Sequence, residues 1–359
     1  MSGSSMGVLF KVTTWGESHG AANGCVIEGC PPLIDLSEAD IQTALDRRKP
    51  GQTAFASPRR EPDTVEILSG VFEGKTTGTP ILLLIRNRDA ASSAYDNLRD
   101  VFRPGHGDFT YLKKYGIRDH RGGGRASGRE TVSRVAAGAV AEKITHAAGI
   151  SVLAYTKMLG GIYADPVLCD PDTVSVKQVV ENRLYCPDPD AARHMEQALE
   201  EAKAAGDSLG GIVEIVVRGC PPGLGEPVFD KMDADLAKAL MGIGAVKGVE
   251  IGAGFAAAGM KGFEANDPIL PPARFFSNHA GGILAGITNG ADIILRAACK
   301  PISSIEKEQQ TIDIHGAPAK LSVKGRHDVS VIPRIIPVCE AMVQIVLADH
   351  LLRQKAVAG

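Results

Sequence analysis

The chain has 359 residues, 44% of them hydrophobic and 23% charged, with a formal net charge of −3. This is the composition of a globular protein with a sizeable core, and its charge balance favours neither nucleic acid nor an anionic membrane surface, since both select basic proteins. Residues 1–11 hold no apolar run of signal-peptide length, the longest aliphatic run (81–85) is far too short to span a bilayer, and seven cysteines without a C-x-x-C pair read as reduced thiols of a cytoplasmic protein.

In chain order, Ser37-Glu38-Ala39-Asp40 fits a capping box, and Ile41 and Leu45 continue a helix to about Arg48, which Pro50-Gly51 stops. Residues 65–71 and 80–85 read as strands around a glycine-rich turn. Ser127-x-x-Glu130 is a second capping box. After it, Val132, Val135, Ala136, Ala139, Val140 and Ile144 recur at helical spacing, so one apolar face runs from about 129 to 148. Further helices are expected over 191–205 and 231–241, a β-branched strand over 211–218, and a closing amphipathic helix over 340–353. Helices and strands alternate irregularly without a dinucleotide-binding fingerprint, so the class is mixed α and β, and no boundary between domains stands out.

The chemistry gathers in a few segments. The run Arg121-Gly-Gly-Gly-Arg125-Ala126-Ser127-Gly128-Arg129-Glu130 lets the backbone pass close to a ligand and leads into a helix N-terminus. Such a terminus offers free N–H groups and partial positive charge, and arginines add forks suited to phosphate or carboxylate. The alternative is a flexible loop before a surface helix. Two histidines sit in glycine-rich turns, His19 in Gly16-Glu17-Ser18-His19-Gly20 and His106 in Arg103-Pro104-Gly105-His106-Gly107-Asp108. A loop can aim such a group into a cleft, where it exchanges protons near neutral pH; a solvated or structural histidine is the competing reading. Glu17/His19 and His106/Asp108 also suit a metal, but no tight four-ligand spacing accompanies them, and no metal site is expected. Lys324-Gly325-Arg326-His327-Asp328 sets a base candidate, Asp328, beside an arginine; its bland reading is a charged surface turn. Ser277-Asn-His-Ala-Gly-Gly-Ile283 and Lys300-Pro-Ile-Ser303-Ser304 read either as cofactor-lining loops or as ordinary turns. Cys299, beside Lys300, is either reactive or a buried bystander. A kinase-type phosphate loop, G-x-x-x-x-G-K-[ST], does not occur. A non-catalytic phosphate- or flavin-binding module would not need His19, His106 and Asp328 together.

Taken together, these segments resemble the chorismate synthase family. The matching runs are GESHG at 16–20, DRRKPG at 46–51, FRPGHGDFTYLKKYG at 102–116 and RGGGRASGRET at 121–131, then GLGEPVFDKMDADLAKALMGIGAVKGVEIG at 223–252, SNHAGGI at 277–283, KPISSI at 300–305 and KGRHD at 324–328. They cover nearly the whole chain in one order. The resemblance implies an α+β fold, a β-α-β sandwich with central helices between antiparallel sheets, built as one domain over residues 1–359 and assembled as a homotetramer. It implies a carbon–oxygen lyase that converts 5-enolpyruvylshikimate 3-phosphate to chorismate, the last step of the shikimate pathway to aromatic amino acids. Phosphate and a ring hydrogen leave from opposite faces, and reduced FMN is required without net redox change.

By the same resemblance, His19 helps protonate the leaving phosphate, His106 sets the protonation of the reduced flavin, and Asp328 sits near the flavin nitrogen that accepts the proton. The flavin-contacting residues are Arg125, Ala126 and Ser127, then Gly244 and Ala245, then Ala285, then Lys300, Pro301, Ile302, Ser303 and Ser304, and Arg326. Arg48, Arg103 and Arg129 are expected on the substrate. Two positions depart from the family pattern: Ala54 stands where many members carry an arginine, and Gly244 where an asparagine is common. Some members reduce their own flavin with NADPH and others depend on an external flavin reductase. With no G-x-G-x-x-G run opening a helix and no appended segment, this chain is expected to be monofunctional.

Overall fold

A computed structural model of the chain describes residues 3–49, 61–88, 98–323 and 327–358. Two antiparallel five-stranded sheets enclose a layer of helices. The first sheet runs, in spatial order, Ser5–Met6, Lys11–Gly16, Ala22–Glu28, Ile81–Arg86 and Val65–Ser69. Period-two alternation is plain in Ile81–Arg86: Ile81, Leu83 and Ile85 are buried, while Leu82 and Leu84 are only half-buried and Arg86 is exposed. The second sheet runs Val246–Ile251, Ile293–Cys299, Gly211–Arg218, Ser151–Leu159 and Ile162–Tyr163. Its central strand coincides with the β-branched run expected over 211–218. Glu214, fully buried in that strand, accepts from Tyr155 Oη at 2.7 Å, Lys157 Nζ at 2.7 Å and Arg296 Nε at 2.8 Å, so a carboxylate inside the sheet has its lone pairs satisfied.

The helices are α1 (Glu38–Arg48), α2 (Asp108–Tyr115), α3 (Thr131–Ala147), α4 (Val176–Val180), α5 (Pro189–Ala204), α6 (Met232–Met241), α7 (Gly262–Ala265) and α8 (Ile332–Ala358). α1 begins as its sequence indicates, with Asp40 accepting from the backbone N–H of Ser37 at 2.8 Å and its hydroxyl at 2.7 Å. α5 starts two residues earlier than the periodicity suggests. Asp188 accepts from Asp190 N at 2.9 Å and Ala191 N at 3.1 Å, and Pro189 opens the first turn, where no N–H is needed. α2 carries no capping side chain and closes on Gly116 at φ +73°.

Two expectations are corrected. The box at Ser127 does not form: Ser127 Oγ accepts from Arg129 N at 3.2 Å and so caps a 3₁₀ turn, while the Glu130 carboxylate takes Arg134 Nε and Thr14 Oγ1. α3 therefore begins at Thr131, behind two 3₁₀ turns. The closing helix is not amphipathic. α8 runs 27 residues, and every residue from Ile335 to Leu351 is buried, because α8 lies against α3 on one side and the second sheet on the other. It is long and apolar enough to cross a bilayer, yet 89% of its most apolar stretch is inside the protein. α3 and α8 approach so closely at Gly138 that a Cβ there would stand 2.3 Å from that of Ala341.

Several polar side chains of α8 tie it to its neighbours. Glu340 accepts from Arg47 Nη1 at 2.7 Å and from Ala154 N at 3.0 Å, and Gln344 accepts from Thr145 Oγ1 at 2.5 Å. Asp349 takes three successive backbone N–H groups, of Val8, Leu9 and Phe10, at 3.0, 2.7 and 2.9 Å. This carboxylate ties the entry of the first sheet to the central helix, and the strand that follows delivers His19.

Candidate active site

A cleft of about 1270 Å³ is walled by loops from both sheets and by the ends of α1 and α8. A small-molecule pocket usually spans roughly 300–1,000 Å³, so this cleft has room for two ligands side by side. His19, His106 and Asp328 all line it. So do the three arginines expected on substrate, Arg48, Arg103 and Arg129, and the flavin-contact candidates Arg125, Ala126 and Ser127. From the second sheet come Gly244, Ala245, Lys300, Ile302, Ser303 and Ser304. Residues from distant motifs thus converge on one space, which none of the turn-by-turn alternatives required.

His106 is held on both ring nitrogens. Nδ1 lies 2.9 Å from the Pro104 carbonyl, which can only accept, so Nδ1 carries the proton. Nε2, 2.8 Å from Ser304 Oγ, is then the acceptor of the serine hydroxyl. Burial, with Arg103 nearby, lowers the pKa of the ring to about 4, so it is neutral at pH 7 without an anion beside it. The turn sits tight on the second sheet. Gly105 has φ +69°, and a Cβ there would be 2.5 Å from Ser303 Oγ.

His19 lies against the glycine run of the other wall. A Cβ on Gly122 would be 2.5 Å from His19 Cδ2 and 2.8 Å from its Nε2. Gly122→Ala is therefore expected to displace the imidazole and cut turnover at least tenfold with the fold intact, the scale of a misplaced proton donor. A variant with parental rate would show that the position of His19 does not matter. A third histidine, His327, also lines the cleft. Burial lowers its pKa, and its Nε2 is buried with no hydrogen-bond partner among the described residues. Its signal in the sequence is its place in the KGRHD run beside Asp328.

The arginines are not loose. Arg103 grips Asp108 through Nε at 2.8 Å and Nη2 at 2.7 Å, inside the protein. Arg125 folds back onto the first sheet, donating to Thr14 Oγ1 at 2.7 Å and Gly16 O at 3.1 Å. Arg121 pairs with Asp119 on the surface and does not line the cleft. Of the three arginines expected to suit an anion ahead of α3, Arg125 and Arg129 line the cleft and Arg121 does not. Arg48 and Arg129 meet on Asp63, a residue that no motif indicated. Asp328 pairs with Arg334 of α8, likewise unforeseen.

Other expected residues lie elsewhere. Ala285 is exposed at φ +52° in the turn between Ile283–Leu284 and Ile287–Thr288, and is not among the cleft-lining residues of this chain, nor is Pro301. The SNHAGG run is a turn pinned by Asp267, which accepts from Ser277 Oγ at 2.6 Å and from the N–H groups of His279 and Ala280. Arg326 and Ala54 fall outside the described residues. Cys299 is a bystander, buried, with its thiol pushed up to about 12.

One wall suits a flavin mononucleotide. Lys300 and the hydroxyls of Ser303 and Ser304 form a cation-and-donor set of the kind a phosphate monoester takes. Gly244 leaves open space where a Cβ would point, and the adjacent Ala245 at φ +76° turns the chain along the wall. Arg48 and Arg129 also line the cleft and supply further cationic groups.

Comparison with known proteins gives the family. The model of the family described as chorismate synthase matches residues 10–352. The chain is 70% identical to the chorismate synthase of Syntrophus aciditrophicus (strain SB), over 99% of both chains, and 61% identical to that of Desulfosudis oleivorans, over 100% of this chain and 99% of the other. A crystal structure of a chorismate synthase superposes with a TM-score of 0.76 at 33% identity, covering 97% of this chain and 93% of that one. By sequence and by fold, the chain belongs to the chorismate synthase family.

Proposed function

We propose that this chain, as a single catalytic domain, is a chorismate synthase that removes phosphate from 5-enolpyruvylshikimate 3-phosphate with reduced FMN bound. The observation that carries this reading is the convergence of His19, His106 and Asp328 with Arg48 and Arg129 in one two-ligand cleft. The substrate carries a phosphate and two carboxylates, which the arginine wall suits. In the net reaction the C–O bond to phosphate and a ring C–H bond break, a C=C bond forms and a proton is released, so no oxidant is consumed. Lys300, Ser303 and Ser304 would hold the FMN phosphate, and Arg125 to Ser127 with Gly244 and Ala245 would flank the rest. When bound, reduced FMN supplies electron density to the ring as phosphate departs and recovers it as the hydrogen leaves.

The protein's own groups manage charge and protons. Arg48 and Arg129 bind the anionic substrate and orient it, and a clamped leaving group departs more easily. His19 delivers a proton to the departing phosphate. His106, neutral in the ligand-free cleft, gains a proton only when an anion comes to lie beside it, so it reports and balances charge on the flavin side. Asp328, in its ion pair with Arg334, would sit beside the flavin nitrogen that takes up the released proton and pass that proton on. The enzyme works as a homotetramer in the cytoplasm, where its seven cysteines stay reduced, and draws reduced FMN from a separate flavin reductase.

The test is direct. In air-free buffer, purified protein with dithionite-reduced FMN and substrate is expected to release phosphate and chorismate in equal amounts, and to release neither with oxidised FMN. Substrate returned unchanged under reducing conditions would end this reading.

A further inference from the structure

Asp63 lies below the arginine wall, fully buried and outside the set of cleft-lining residues. Its carboxylate joins the two arginines that do line the cleft: Oδ2 accepts from Arg48 Nη2 at 2.8 Å, and Oδ1 accepts from Arg129 Nη1. Arg48 is itself 1% exposed, and its remaining acceptors are neutral, Thr131 Oγ1 at 3.1 Å and the Gly128 carbonyl at 3.3 Å. Arg129 is steadied by Asn87 Oδ1 at 2.8 Å and the Arg86 carbonyl at 3.4 Å, with Glu61 at 4.0 Å. Two guanidinium groups this close repel each other, and burying either without a counter-charge is costly. Burial would raise the Asp63 carboxyl, but Arg48 and Arg129 outweigh it and hold it below the usual carboxylate range. The backbone at Asp63 is left-handed, φ +49°, a conformation uncommon outside glycine and kept where the surroundings over-determine it.

We propose that Asp63 is a positioning residue of the anion clamp: it sets the spacing and aim of Arg48 and Arg129 and offsets part of their charge. This rests on the reading of the cleft as the site for 5-enolpyruvylshikimate 3-phosphate. A carboxylate shared by two forks fixes where the two guanidinium groups stand at the cleft wall, and so where an incoming phosphate or carboxylate can meet them. The Asp63 carboxylate offsets part of the charge of the two guanidinium groups, which limits indiscriminate capture of small anions while keeping a geometry that fits the substrate. An amide at this position keeps the size but presents an N–H₂ group to one guanidinium, so that arginine turns away.

The experiment measures two affinities on the intact enzyme: FMN by fluorescence titration, and 5-enolpyruvylshikimate 3-phosphate by calorimetry with FMN bound. Asp63→Asn is expected to weaken substrate binding at least about tenfold, the scale of one charge-assisted contact, with FMN affinity within about threefold. In an Arg129→Gln background the same change is expected to cost clearly less than in the parent, because one of the two groups it acts through is gone and only Arg48 remains. Should Asp63→Asn fail to fold, Asp63→Glu serves instead: the charge stays but is pushed forward by one methylene, and a several-fold loss of substrate affinity is expected with FMN binding kept. Substrate affinity unchanged in the variant that folds overturns the proposal. So does a loss equally large without Arg129, or a parallel loss of FMN affinity, which marks general damage to the cleft. A parent enzyme that binds FMN but no substrate is a different failure: it removes the functional reading, and the role of Asp63 falls with it.

Discussion

His106→Ala is expected to lower turnover by about 10²–10⁴-fold, the usual contribution of a positioned acid–base group, while FMN binding weakens less than about tenfold. The split follows from the geometry. The ring makes one hydrogen bond to the flavin-side wall, from Ser304 Oγ at 2.8 Å, so its loss removes a single neutral contact there. Its charge state is what the chemistry uses, and alanine has none. Stability and pH give a second readout. The folded pKa is lowered from 6.5 to about 4, so as pH falls the unfolded chain takes up the proton first. The stability His106 contributes is complete above 6.5 and is lost as pH falls toward 4, with a slope of at most about 1.36 kcal/mol per pH unit. The difference between parent and His106→Ala unfolding curves should show that slope in this window and flatten outside it. Near-parental turnover would remove His106 from the mechanism, whatever the unfolding curves show.

Much of the fold is legible where one local signal dominates. Gly211–Arg218 is β-branched and buried on both faces, and it reads as a strand without help. α1 announces itself through Ser37 and Asp40. α8 does not, because Pro333 and Pro337 argue against a helix ahead of Glu340. The structure carries both: Pro333 sits in the first turn, where its missing N–H costs nothing, and packing against α3 and the second sheet holds the rest. A helix buried on every side also lacks the one-sided pattern that reveals amphipathic helices. α2 hides for the opposite reason, being short, uncapped and set among glycines. In the cleft, the motif runs locate the groups that face a ligand, since those sit in contiguous glycine-rich loops. They do not locate what holds those groups. Asp63 meets Arg129 across 66 residues of chain, and Arg334 reaches Asp328 from a helix whose start the prolines disguise. Partners chosen by folding rather than by neighbourhood leave no local pattern. Arg121, Arg125 and Arg129 make the same point: they share one glycine-rich run, yet they find three different acceptors, Asp119, Thr14 and Asp63.

The last expected result concerns the source of electrons. With FMN, NADPH and substrate in air-free buffer, the purified protein is expected to make almost no chorismate; adding dithionite or a separate flavin reductase should start the reaction at once. The cleft supplies the reason. About 1270 Å³ takes a flavin and one further anion, and a nicotinamide must stack on the flavin ring to pass a hydride. The same cleft is lined by Arg48 and Arg129, the groups assigned to substrate. A dinucleotide would have to enter where 5-enolpyruvylshikimate 3-phosphate binds and leave again before each turnover could begin. Because the elimination returns the flavin to its reduced form, one delivery of electrons serves many turnovers, and a built-in reductase brings little to the steady state. The measurement is anaerobic chorismate absorbance against time, with flavin absorbance near 450 nm followed in the same cuvette on the order of minutes. Prompt bleaching of the flavin by NADPH, followed by brisk turnover in protein free of contaminating reductase, would show that this cleft receives a nicotinamide after all. The competition between NADPH and substrate for the arginine wall would then be the next quantity to measure.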